Sequence, residues 1–253
     1  MFIDTHCHLD DPSLRDRLPD ALAAAAKAGV KRFIVPGVGP EGWGDVMALA
    51  AGNNRIHAAP GIHPMHADRC SDDALLRLAA LCGEAVAIGE IGLDYVVEHV
   101  PREVQQAALR RQLRLAVSKG LPVLIHCRRA FQDLLRILQE EGAEQVGGVM
   151  HAFSGSGEIA RDCVTMGFLI SIAGTVTYTN AVRPLEVVRR VPLAHLVLET
   201  DAPDMTPEPY RGRSNEPAFL LETAKKVAEI KGATLEEVAA VTTANAERVF
   251  KLQ

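Results

Sequence analysis

Residues 101–141 read PREVQQAALRRQLRLAVSKGLPVLIHCRRAFQDLLRILQEE, a helix, a strand and a helix in succession. Pro101 stands at the start of the first helical pattern and Gly120 just past its end, the usual asymmetry of helix termini. Pro122–His126 is a short apolar run that ends on a histidine. Ala130–Glu141 is helical again and stops at Gly142. Strand and helix of these lengths in alternation predict a parallel sheet.

The same unit recurs on both sides. Toward the N-terminus, strands are expected at 2–6, Lys31–Pro36, Arg55–Gly61 and Ala85–Gly89. The helices between them are expected at Ser13–Ala28, Glu41–Ala51 and Ser71–Cys82, with Ser71 as N-cap. Toward the C-terminus, strands are expected at Val146–His151, Phe168–Ile172 and His195–Thr200, with helices at Glu158–Met166 and Ala181–Arg190. Two closing helices follow, Glu216–Ile230 and Leu235–Phe250, the latter capped by Thr234. Eight such units in 253 residues fit an α/β fold of the closed (β/α)₈ TIM-barrel type, read as a single domain over 1–253. An open doubly wound sheet is the alternative, but no GxGxxG follows the first strand.

The strand ends carry the chemistry. His6 and His8, His63, Glu90, His126, His151 and Asp201 nearly all close an apolar run. A barrel would gather them at the C-terminal face of its strands. Strand side chains alternate faces. Val86, Ile88 and Glu90 then share the inward face, as do Leu124 with His126 and Val149 with His151. The same parity turns Cys7 and Cys127 outward, under the helices. Asp4, two residues below His6, is expected to accept a hydrogen bond from the other ring nitrogen of a ligating histidine. Glu199, two before Asp201, has no partner that the pattern identifies. Four histidines and two carboxylates exceed one tetrahedral zinc site. They suit two divalent ions sharing a bridging carboxylate. Imidazole and carboxylate donors favour Zn, Mn or Co over an all-oxygen Mg site.

FIDTHCH, GIHP, GEIGLDY, HCRR, HAFSG and ETDAPD, with YRGRSNEP, resemble the TatD family of metal-dependent deoxyribonucleases in the amidohydrolase superfamily of TIM barrels. The resemblance runs in order along essentially the whole chain. It implies that His6, His8, Glu90 and Asp201 hold one ion, and that Glu90, His126 and His151 hold the second. Glu90 would be the bridge, and Asp201 would orient or deprotonate the attacking water. His63 matches a substrate or supporting position. Met65 stands where many relatives carry a second histidine. The resemblance also implies hydrolysis of DNA at single-stranded ends, from 3′ to 5′.

Substrate contacts are expected from Arg211 and Arg213 in YRGRSNEP, from Arg128, and from Ser154 with Gly155. Arg102, Arg110, Arg111 and Arg114 read mostly as a solvated helix face. Aromatic residues make up 4% of the chain, too few for a long base-stacking platform. Tyr95 and Tyr178 are candidates to stack on a terminal base. The same barrel could instead hydrolyse another ester or amide, such as an aminoacyl-RNA, a lactone or a phosphotriester. A non-enzymatic metal-binding role is the weaker alternative.

Composition bounds the rest. The chain is 48% hydrophobic and 23% charged, as in globular proteins. Its net charge of −5 argues against a broad, non-specific grip on nucleic acid. No apolar run reaches the ~18 residues of a membrane span. MFIDTHCH lacks the pattern of a signal peptide. Five cysteines, an odd number with no CxxC pair, read as reduced thiols of a cytoplasmic protein. No obligate protein partner is expected.

Overall fold

The structure, a computed structural model, describes residues 1–252. In chain order it runs β1 (Phe2–Asp4), α1 (Pro12–Arg15), α2 (Leu18–Lys27), β2 (Val30–Pro36), α3 (Trp43–Gly52), β3 (Ile56–Ala59) and α4 (Asp72–Leu81). It continues β4 (Ile88–Asp94), α5 (Arg102–Lys119), β5 (Val123–Arg128), α6 (Phe131–Glu140), β6 (Gly148–Met150) and α7 (Gly157–Thr165). It ends β7 (Phe168–Ile172), α8 (Arg183–Arg190), β8 (Leu196–Leu198), α9 (Leu220–Lys231) and α10 (Leu235–Phe250).

All strand pairs are parallel, in two ladders, β1-β2-β3 and β4-β5-β6-β7-β8. Backbone hydrogen bonds bridge both seams. Thr5 N donates to Leu198 O at 3.0 Å beside β1 and β8, and Val86 N donates to Ala58 O at 3.0 Å between β3 and the approach to β4. The strands therefore close into a (β/α)₈ barrel. Its interior takes one apolar side chain from each strand or the residue leading into it: Ile3, Ile34, Ala59, Ala87, Leu124, Val149, Leu169 and Val197. Ala246 and Phe250 of α10 pack against this layer and plug its N-terminal end. A second, larger apolar layer lies between strands and helices. No helix among the described residues is long and apolar enough to cross a membrane.

Caps expected from the sequence form. Ser71 accepts from Ala74 N, Thr234 makes a reciprocal capping box with Glu237, and Gly120 ends α5 at φ 63°. Two expectations are corrected. The helix expected over Ser13–Ala28 is broken after α1, because Pro19 lacks the N–H that an unbroken helix needs. It serves instead in the first turn of α2. The fourth strand lies at Ile88–Asp94 rather than Ala85–Gly89.

Candidate metal centre

Glu90 reaches the barrel interior by a route that alternation alone does not give. Ala87 belongs to the interior layer, whereas Ile88, Ile91 and Leu93 pack on the helix side. The expected inward parity of Ile88 is thus reversed. Between Ile88 and Ile91, β4 carries one residue more than its partner, since these pair with Val123 and Ile125. The extra residue re-aims Glu90 inward, the common use of a bulge next to a site. Glycines permit it. A Cβ on Gly89 would lie 2.4 Å from Leu124 Cβ, and one on Gly92, at φ 152°, 1.9 Å from His126 O.

Glu90 then stands among four imidazoles. Its Oε2 is 3.4 Å from His6 Nε2. Its Oε1 is 2.8 Å from His126 Nδ1, 3.6 Å from His151 Nε2 and 3.8 Å from His63 Nε2. Asp201 Oδ1 lies 3.6 Å from His8 Nε2 and 3.7 Å from both His6 Nε2 and His151 Nε2. Most of these separations are too long for hydrogen bonds. They suit the edges of a coordination shell, because ligands ~2.1 Å from one ion sit ~3.4 Å apart in a tetrahedron. Both ring nitrogens of His6 are buried without a hydrogen-bond partner. An unsatisfied buried imidazole is costly unless something else fills its coordination. Donor atoms of His6, His8 and Glu90 fall within 4.8 Å of one another, and so do those of His63, Glu90 and His126. The residues present fit divalent metal.

Supporting carboxylates flank the outer nitrogens of two of the rings. Glu199 Oε2 lies 3.1 Å from His151 Nδ1, and its Oε1 accepts from Ala152 N at 2.6 Å. In the neutral form that a metal ligand needs, with the proton on Nδ1, His151 would present the Nε2 lone pair toward Glu90 and Asp201. Asp94 Oδ2 lies 3.2 Å from His126 Nε2, which leaves Nδ1 toward Glu90. His63 is the reverse case. Its Nδ1 accepts from Met65 N at 3.1 Å, so the neutral ring carries its proton on Nε2 and points it at Glu90. That makes His63 a donor rather than a ligand in this tautomer. Asp4 is corrected: it reaches no imidazole. Its carboxylate accepts from Thr200 N at 2.9 Å and Thr200 Oγ1 at 2.6 Å, across the seam between β1 and β8.

Electrostatics follow the same contacts. Burial opposes charge on His126, yet bonds to Asp94 and Glu90 carry it up to about 9. Burial also opposes charge on His151, but Glu199, Glu90 and Asp201 raise it to about 10. Burial drops His63 to about 4. Against burial, the surrounding imidazoles hold Glu90 well below the usual carboxylate range, and Asp201 below it too. Burial lifts Asp4 to about 7. The cluster thus attracts cations while keeping its two central carboxylates ionised.

The family profile described as TatD related DNase matches residues 3–251. The chain belongs to the TatD family of metal-dependent hydrolases. It is 41% identical over 254 residues to the metal-dependent hydrolase YabD of Bacillus subtilis, covering 100% of both chains. It is 36% identical to the metal-dependent hydrolase TatD of Mycobacterium tuberculosis, over 99% of this chain and 98% of that one. The crystal structure of the TatD homologue YjjV from Escherichia coli matches with a TM-score of 0.94 at 36% identity, over 100% of this chain and 98% of that one.

In this TatD-family chain the cluster opens into a cavity of about 330 Å³ on the C-terminal face. His8, His63, His126, His151, Glu90 and Asp201 line it, and so do Arg128 and Ser154. Arg211 and Arg213 do not. Arg211 lies over the ring of Tyr178 at 4.0 Å, and Arg213 over Tyr210 and Phe219 at 5.7 and 5.6 Å. Sequence reasoning missed Asp94 and Asp204. Asp94 shares a face with Glu90 and Gly92 in GEIGLDY, which was the available signal. Asp204 follows Asp201 by three in DAPD and borders the cavity. Arg129, Ala152, Asp201 and Met205 all have positive φ, between 40° and 57°, on loops after β5, β6 and β8. Non-glycine backbone of this kind costs ~1–3 kcal/mol each and collects at functional sites.

Proposed function

We propose that the whole chain acts as one DNA-hydrolysing domain, removing nucleotides from single-stranded ends from 3′ to 5′. His6, His8, Glu90 and Asp201 would hold one divalent ion, and Glu90, His126 and His151 a second, with Zn, Mn, Co and Mg as the candidates. Bound there, such ions would supply Lewis acidity that lowers the pKa of water and offsets phosphate charge. Asp201, kept ionised, takes the proton of the attacking water. His63 Nε2–H, 3.8 Å from Glu90 Oε1 and so too far to hydrogen-bond it, donates to a phosphate oxygen. Arg128 and Ser154 orient the scissile phosphate from the rim. Free cysteines fit a reducing compartment, so the cytoplasm is the proposed location.

One observation carries the nucleic-acid part. Several helix arginines, Arg110, Arg111, Arg114, Arg136 and Arg190, are paired with carboxylates, while others such as Arg102 and Arg161 are not, among the described residues. Around the cavity, Arg128, Arg129, Arg211 and Arg213 have no carboxylate within 4.0 Å among the described residues. Exposed guanidinium without a carboxylate partner on loops of the cavity's face, with Arg128 lining the cavity itself, suits a polyanion. The cavity has room for about one nucleotide, which suits a chain end.

The test is turnover before and after chelation, with add-back of each metal. Substrates are short single-stranded DNA, aminoacyl-RNA, and panels of lactones, simple esters and phosphotriesters. Metal-dependent release of nucleotides from DNA ends is expected. Turnover confined to aminoacyl-RNA, esters, lactones or phosphotriesters would replace this reading with the other hydrolase.

A further inference from the structure

The loops after β7 and β8 run side by side away from the cavity, tied at successive points. A Cβ on Gly174 would meet Met205 O at 2.3 Å and Pro207 N at 3.0 Å, so the two backbones touch. Met205 lines the cavity. Further out, Glu208 N donates to Thr177 Oγ1 at 2.8 Å. Beyond that, the guanidinium of Arg211 covers the ring of Tyr178 at 4.0 Å. Gly174–Thr177 is a 3-10 turn. At ~2.0 Å per residue, Tyr178 stands ~8 Å further along the wall than Gly174.

The β8 loop is firmly held. Asn215 Nδ2 donates to Thr200 O at 2.8 Å and Asp204 O at 2.6 Å, and Thr206 Oγ1 to Arg213 O at 2.7 Å. Tyr210 stacks on Phe219 at 3.9 Å. Tyr178 is half-buried and Arg211 is exposed. The order outward is therefore wall, ring, guanidinium, solvent. A guanidinium that served phosphate alone would need no aromatic backing. Backed by the ring at 4.0 Å and exposed to solvent, it can offer its outer face for a base to stack on.

We propose that Tyr178 and Arg211 form a stacking subsite for the unpaired base next to the scissile phosphate, on the strand that is retained. The inference rests on the DNA-hydrolase reading and makes the substrate a strand of at least two nucleotides. Arg211 supplies the plane and Tyr178 positions it.

The experiment measures binding of labelled single-stranded oligonucleotides by anisotropy on chelated protein, and KM on the metal-loaded enzyme. Each is run with a normal or an abasic nucleotide at that position. Tyr178→Ala and Arg211→Lys should each weaken binding of the normal strand about tenfold, equivalent to ~1.4 kcal/mol. The loss should vanish on the abasic strand. Tyr178→Phe should restore binding, since the ring is kept. Arg211→Lys keeps the charge, so the salt dependence should stay while base dependence goes. If the wild type cleaves DNA and Arg211→Lys binds the normal strand as tightly as it does, the subsite is overturned and the hydrolase reading stands. If the wild type neither binds nor cleaves DNA, both fall.

Discussion

In the lower interior layer of the barrel, Ile3, Ile34, Ala59, Ala87, Leu124, Val149, Leu169 and Val197 bury nothing but carbon. Nearer the C-terminal face, largely the same strands carry His6, Glu90, His126, His151 and Asp201, ionisable and mostly buried. Only a few residues along each strand separate the layers. Burial of one large apolar side chain stabilises by ~1.5–3 kcal/mol. The upper layer does the opposite, with unpartnered imidazole nitrogens and positive-φ backbone beside it. The lower layer and the helix packing hold the barrel closed. The upper layer spends part of that stability to keep donor atoms in place.

The comparison breaks first at Glu90. Glu90→Gln keeps the shape and removes the charge that faces His6 on one side and His126, His151 and His63 on the other. Activity should be abolished and metal content should fall, by elemental analysis, while the fold survives. Two tightly held metal equivalents with a near-normal rate would end the bridging role.

Asp201→Asn should cost more in kcat than in KM. Loss of general-base help is worth ~10²–10⁴ in rate, and a weakened metal would add to it. Titration with Mn²⁺ separates the causes. Full recovery at saturation would make Asp201 a ligand and not the base. A change in KM alone would move it to substrate binding.

Leu124→Ala probes the other layer. Leu124 is fully buried between the bulge of β4 and the interior. The substitution should cost ~2–5 kcal/mol of stability in denaturant unfolding. Activity per folded molecule should hardly change. A large loss of kcat in protein that is still folded would show that the layers are not separable.

The sequence made the barrel legible because its evidence is local: short apolar runs, helix stops at Gly120 and Gly142, caps at Ser71 and Thr234. The ligand-type residues could be found because each sits at or near the end of such a run. What was hidden depends on contacts between distant segments. Asp4 meets Thr200 across 196 residues, and Glu199 meets Ala152 across 47. Asp94 was missed because β4 continues past the point where its apolar pattern stops. Glu90 was expected inward on simple alternation and arrives there by a bulge. Arg211 and Arg213 were expected at the phosphate; that both also lie over aromatic rings is something no spacing within YRGRSNEP reveals.

The smallest effect is expected at the cysteines that neighbour candidate ligands. Cys7 follows His6 and Cys127 follows His126, so sequence adjacency alone would make both thiols ligands. The packing argues otherwise. Both belong to the apolar layer between strands and helices, and Cys7 Sγ lies 3.9 Å from Ile34 O. Metal is held by thiolate rather than thiol, and burial raises both groups far above the usual thiol range. Cys7→Ser and Cys127→Ser should therefore leave metal content unchanged. Each should lose ~1–3 kcal/mol of stability at most, the cost of a buried hydroxyl without a good partner. Cys127 is the sharper test, because it borders the cavity as well as the outer layer. A folded variant at either position that loses a metal equivalent would put that thiol inside the barrel and overturn the division between the two layers.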